Sequence, residues 1–184
     1  MYPIFVLLTQ RALPLLSGAG AFLCLTIGFC LMLGTPARSE GTLVSFNHEA
    51  GPGTIVVRTS QKRLYLVLRP GQAIRYEVGV GRAGRQWSGA SMIDGMYLAP
   101  NWAPPAEIKR DRPGLPDIIP SGSPNNPLGA AAMTLSGGQY AIHGTNAPES
   151  IGSFVSYGCI RMFNDDISDL YRRVGIGSLV IVEP

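Results

Sequence analysis

The 184-residue chain is poor in the residues that build covalent and metal-bound scaffolds. It has three cysteines, and two of them, Cys24 and Cys30, lie in an uncharged apolar run that ends at Leu33. From Glu40 onward Cys159 stands alone, which excludes a disulfide framework within the chain and a Cys-x-x-Cys redox pair. Two histidines, His48 and His143, leave no Cys/His set for a structural metal, and no metal or organic cofactor is expected. Excess charge is missing too. Two of the 15 basic residues, Arg11 and Arg38, precede Glu40, so 13 basic residues face 12 acidic ones in the remainder. Such a balance gives no basic patch for nucleic acid.

The N-terminal segment has its own signature. Arg11 precedes an uncharged run from Ala12 to Leu33, followed by Gly34, Pro36 and the small residues Ala37 and Ser39 that flank Arg38. The pattern predicts a signal peptide over residues 1–39 that is cleaved near Ser39, or, since the run is long enough to cross a bilayer, an anchor through residues 12–33. Both place the remainder outside the cytoplasm, in the periplasm or cell envelope. Neither Leu23 nor Phe29 is the small residue that a lipoprotein signal puts before its cysteine, so Cys24 and Cys30 read as apolar filler.

Residues 40–53 read as an irregular leader and 54–184 as one domain. TIVVR (54–58), KRLYLVL (62–68) and the alternating QAIRYEVGVG after the Arg69-Pro70-Gly71 break predict a β meander. GMYLAP, QYAIHG and SLVIVEP add short strands. Pro100 to Gly138 reads as a long irregular insert, docked through Trp102 and the apolar run Leu128–Met133, with one helical turn in PPAEIKRD. NDDISDLYRRV predicts an amphipathic helix with Asn164 as cap and Ile167, Leu170, Tyr171 and Val174 on its buried face. Asp165, Asp166 and Asp169 read as helix-dipole and solvated-face residues, His48 as a surface residue, and Trp87 and Trp102 as core or lid-packing aromatics.

The chemistry centres on SFVSYGCIRMFN. A lone thiol in an oxidising compartment needs a base to act as a nucleophile, and His143 ends the alternating strand QYAIH 16 residues before Cys159. Gly144, Gly152 and Gly158 give backbone room beside both groups, and Arg161 adds a positive charge that lowers a thiol pKa or holds a carboxylate.

IHGTNAPESIGSFVSYGCIRMFNDDISDLY resembles the catalytic segment of the L,D-transpeptidases, with its His-Gly, spacer and Ser-His-Gly-Cys pattern. The likeness extends upstream through RLYLVL, YEVGVGR, WSGAS, NWAPPAEI and NNPLGAAAM. The resemblance implies a mainly β domain, a β-sandwich with short helices and one amphipathic helix after the cysteine, acting on peptidoglycan stem peptides. Cys159 would be the nucleophile and His143 the general base. The backbone of Gly144 and Thr145 would orient the imidazole, and the amides of Tyr157, Gly158 and Cys159 would stabilise an oxyanion. Ser156 matches the motif serine and Arg161 the position that shapes the acceptor or carboxylate contact, and with Trp102 they are the expected substrate-binding residues. Tyr157 stands where the family often has a second histidine, which leaves the role of that side chain open.

The implied reaction releases D-Ala from a tetrapeptide stem, forms a thioester on Cys159, and passes the acyl group to an amine on another stem or on a wall-attached protein. Transfer to water would make the same protein a carboxypeptidase. Carbapenem-type inhibitors would acylate the same thiol. A noncatalytic wall-binding module predicts loss of Cys159 or His143, and both are present.

Overall fold

A computed structural model describes residues 41–137 and 140–184. The signal or anchor expected over residues 1–39 lies outside the described residues.

The elements, in chain order, are β1 (Thr42–Phe46), β2 (Ile55–Arg58), β3 (Arg63–Arg69), β4 (Gly71–Glu77), β5 (Val80–Gly81), β6 (Gly89–Leu98), α1 (Ala106–Asp111), β7 (Ala131–Leu135), β8 (Ala141–His143), β9 (Phe154–Ser156), β10 (Ile160–Arg161), α2 (Asn164–Arg173) and β11 (Leu179–Glu183). Nine strands form one sheet in the order β1-β4-β3-β2-β11-β6-β7-β8-β10, and β5 pairs with β9 beside it. The meander β2-β3-β4 is antiparallel, as the break at Pro70-Gly71 predicts, and Gly71 takes the positive φ of 79° that the tight reversal needs. The last strand, β11, returns to the first part of the domain and pairs parallel to β2.

β6 turns this sheet into a sandwich. Its first half pairs with β11 and its second half with β7, with a register shift between Ile93 and Gly95. A bulge bends the strand locally, so the sheet folds back and its two halves face each other. At Gly95 a Cβ would lie 2.6 Å from Thr134 Oγ1, so the close approach at the bend requires glycine. One core fills the space between. Ile55, Val57, Leu64, Leu66, Ile74 and Tyr76 come from one side, Met133, Leu135, Ile142 and Ile160 from the other, and Ile167 and Leu170 of α2 close it. The opposite face of β2-β3-β4 carries a second cluster of Phe46, Val56, Tyr65, Val67 and Ala73. Ile55, Val56 and Val57 are therefore all fully buried, the pattern of a strand covered on both faces.

Several expectations are corrected. The leader is not irregular throughout: Thr42–Phe46 pairs with β4 as an edge strand and delivers Phe46 to the second cluster. The insert contains β7, whose alanine-rich AAMTL has weak strand propensity and is held by pairing with β6 and β8 and by burial. Asn126 ties the rest of the insert down, donating to the carbonyls of Pro100 (2.8 Å) and Pro120 (3.2 Å) and accepting from the Leu128 amide (3.0 Å). His48 is half-buried, stacked on Phe46, with Nε2 3.0 Å from Glu183 Oε1. Asp166 is fully buried, and Asp169 accepts from the Tyr76 hydroxyl (2.7 Å) and from Arg173 Nε (2.9 Å), so these two do not form a solvated face.

Candidate active site

Parallel pairing of β8 with β10 sets Arg161 opposite His143 and Ile160 opposite Ile142. Alternate residues of a strand share a face, so His143, Arg161 and Cys159 point to the same side. The turn before Cys159 is fixed by its neighbours. Ser156 Oγ donates to the Cys159 carbonyl (2.5 Å) and accepts from the Gly158 amide (3.0 Å), while Trp87 Nε1 donates to the Gly158 carbonyl (2.9 Å). Trp87 itself stacks on Tyr140 at 5.0 Å. Gly158 has φ +122°, and a Cβ there would fall 2.2 Å from the Tyr140 ring, so no other residue fits the turn.

His143 is 4% exposed, and its Nδ1 lies 2.6 Å from the Gly144 carbonyl. A carbonyl only accepts, so Nδ1 carries the proton and the lone pair of the neutral ring sits on Nε2. Burial pushes the His143 pKa down to about 4, against the upward pull of the Gly144 and Pro127 carbonyls and with help from the Arg161 charge. Burial also pushes the Cys159 thiol up, more than the Ala141 backbone and Arg161 pull it down. Arg161 thus does what its charge suggests, but desolvation wins and the thiol is not depressed. At neutral pH the pair is thiol plus imidazole, an arrangement in which the base takes the proton as sulfur attacks rather than before.

Asn164 is not the helix cap that its position suggests. Phe163 occupies the cap position of α2, and the Asn164 side chain is used elsewhere. Its Oδ1 accepts from the amides of Ala130 (3.0 Å) and Thr145 (3.1 Å), and its Nδ2 donates to the Thr145 carbonyl (3.0 Å). It seats between Gly129 and Gly144, where a Cβ would approach Oδ1 to 2.1 and 2.3 Å. Asn164 therefore locks the segment that carries His143 to the start of β7, a role with no signal in the sequence. Thr145 acts through the same clamp, and its Oγ1 accepts from the Ala147 amide (3.0 Å).

Three hollows converge on Cys159. One, about 350 Å³, is lined by Tyr97, Trp102, Leu128, Thr134 and Tyr140. Another, about 410 Å³, runs between α1 and Tyr157 and is lined by Arg85, Glu107 and Ile108. The smallest, about 80 Å³, brings Cys159, His143 and Arg161 together beneath Trp102, Pro105 and Leu128. Arg161 Nε is buried without a hydrogen-bond partner among the described residues, and Nη1 lies 3.5 Å from Ser150 Oγ. The sequence-predicted residues thus gather in one place, with Trp102 on its rim; Trp87, Tyr140 and Asn164 complete the framework around them.

Residues 52–182, from just before β2 into β11, match the model of the L,D-transpeptidase catalytic domain. The chain belongs to the L,D-transpeptidase catalytic-domain family. Among curated proteins, the one named Probable L,D-transpeptidase ErfK/SrfK of Escherichia coli is 38% identical over 135 residues, covering 68% of this chain and 42% of that protein. The chain thus matches less than half the length of such relatives. Among solved structures, the L,D-transpeptidase of Mycobacterium smegmatis shares the fold with a TM-score of 0.55 at 17% identity, over 71% of this chain and 58% of that one. LdtMt1 in complex with imipenem aligns with a TM-score of 0.52 at 18% identity, over the same shares.

In this L,D-transpeptidase domain, Tyr157, the residue at the variant motif position, has a visible task. Its hydroxyl donates to Asp111 Oδ2 (2.6 Å), and the Arg82 guanidinium stacks 3.9 Å above its ring and 3.7 Å from Asp111. Arg85 pairs with Glu107 next to it. The loop after β5 and the short α1 are thereby held together over Cys159. The Gly158 amide, expected as an oxyanion donor, is already engaged by Ser156.

Proposed function

We propose that the domain is an exported peptidoglycan L,D-transpeptidase that works through a thioester on Cys159. The observation that carries this reading is the shared hollow of Cys159, His143 and Arg161, with His143 Nδ1 held by the Gly144 carbonyl in the tautomer that places the lone pair on Nε2. Arg161 receives the terminal carboxylate of a tetrapeptide stem, since its buried Nε has no hydrogen-bond partner among the described residues. His143 takes the thiol proton as sulfur attacks the carbonyl before the D-Ala. The amides of Tyr157 and Cys159 stabilise the oxyanion, Gly158 being engaged. The imidazolium returns its proton to the leaving amine, D-Ala departs, and an amine acceptor then resolves the thioester.

Ser156 holds the turn, and Trp102 packs over the donor. Residues 1–39 direct export to the periplasm or cell envelope, as a cleaved signal or as an anchor. Carbapenems, which present a strained amide and a carboxylate, acylate the same thiol; the imipenem complex of LdtMt1, which shares the fold, supports this.

The test uses a defined disaccharide tetrapeptide as donor and acceptor, with products weighed by mass spectrometry. A stem-to-stem dimer with free D-Ala is expected. Tripeptide alone would make the protein a carboxypeptidase, and an unchanged substrate would overturn the reading.

A further inference from the structure

Two of the hollows that open at Cys159 differ in kind. Among the described residues, the one beside Trp102 is lined by no charged residue, whereas the one beneath α1 carries one charge of each sign, Arg85 and Glu107, paired with each other. Arg85 is placed by a tight turn: its amide donates to the Arg82 carbonyl (2.8 Å), and Gly81 packs so closely that a Cβ would lie 2.3 Å from the Arg85 carbonyl oxygen. Glu107 comes from the first turn of α1. Their side chains remain 39% and 31% exposed, so both are reachable from the cleft. Holding α1 in place does not rest on them alone. Arg82, Asp111 and Tyr157 already fasten the helix to the loop, and neither Arg82 nor Asp111 lines the hollow.

On the transferase reading above, we infer that Arg85 and Glu107 select the acceptor, favouring an amine with a carboxylate on the same carbon, the zwitterionic head of an amino acid, over an isolated ammonium such as a lysine side chain. A half-exposed ion pair contributes little by itself, so opening it costs little. A zwitterion exchanges partners with it: ammonium to Glu107, carboxylate to Arg85, and every charge remains paired. A lone ammonium would take Glu107 but offer nothing to Arg85, so it makes one charge-assisted pair fewer than the zwitterion does.

The acceptor enters as an ammonium and gives one proton to solvent. Its lone pair attacks the thioester carbonyl, the C–N bond forms as the C–S bond breaks, and a second N–H proton reaches the departing sulfur through His143. The products are an amide and the free Cys159 thiol.

The test supplies the tetrapeptide donor with D-methionine or D-methionine amide as acceptor, each rate referred to the free-amine concentration at the assay pH because amidation also lowers the ammonium pKa. Wild type is expected to use the acid at least about tenfold better in kcat/KM, the size of one charge-assisted hydrogen bond. Arg85→Gln should bring the acid-to-amide ratio to within about twofold of one, Arg85→Lys should restore most of it, and Glu107→Gln should slow both acceptors alike. A wild-type ratio near one, or a ratio untouched by Arg85→Gln while D-Ala is still released, overturns the assignment alone. No D-Ala release by wild type would overturn the transferase reading and this one with it.

Discussion

At neutral pH Cys159 is a thiol and His143 a neutral imidazole, because both are desolvated in the same hollow. The histidine's lowered pKa makes a stability prediction whose sign follows from linkage. Unfolded, it takes up a proton near pH 6.5; folded, only near 4. Between these values the unfolded chain binds more protons than the native one, so stability falls as pH drops through the window, by up to about 3 kcal/mol. Urea unfolding of wild type and His143→Gln from pH 7 to 4 checks this: the wild-type loss should be steeper by about that amount, and parallel curves would contradict it. Cys159→Ala should change stability by about 1 kcal/mol or less, as removal of one small buried group, while turnover falls at least about a thousandfold. Paired melting and D-Ala release measurements would show whether the two separate in this way.

At the scale of elements, the site depends on a clamp between β7, the segment after β8, and the start of α2. Asn164→Ala removes three hydrogen bonds there and is expected to cost about 2 kcal/mol, with a drop in turnover because His143 loses its fixed setting. Asn164→Asp keeps the acceptor for the Ala130 and Thr145 amides and should lose less than alanine in the same unfolding titration; equal losses would argue that the donor to Thr145 carries the clamp. None of this was legible from the chain. Asn164 stands where a cap residue belongs, and only the approach of Gly129 and Gly144 in space shows that its amide is used sideways. β7 escaped for a related reason, since alanines carry little strand preference and one of its two pairing partners, β6, is remote in sequence. The meander, by contrast, was readable because β-branched alternation and a Pro-Gly break are local signals. The amphipathic helix was readable too, from the spacing of Ile167 and Leu170.

For the whole molecule, the sandwich could be expected from the family resemblance, but the device that makes it, a bulge in the long β6, could not. Its first half, GASM, has none of the alternation that marks a strand. The meeting of Cys159 and His143 was readable because chemistry leaves few candidates: one thiol after Glu40, two histidines, and glycines at the turn. How α1 is held over the site was not, because Tyr157, Arg82, Asp111, Arg85 and Glu107 meet only in the folded chain. The central claim is that this assembled hollow makes Cys159 an acyl-accepting nucleophile. Intact-mass spectrometry after incubation with imipenem tests it most directly. The account predicts one ring-opened drug per wild-type chain, delayed in His143→Ala, slowed in Arg161→Ala and absent in Cys159→Ala. An unmodified wild-type mass, or an adduct mapping to a residue other than Cys159, would contradict it.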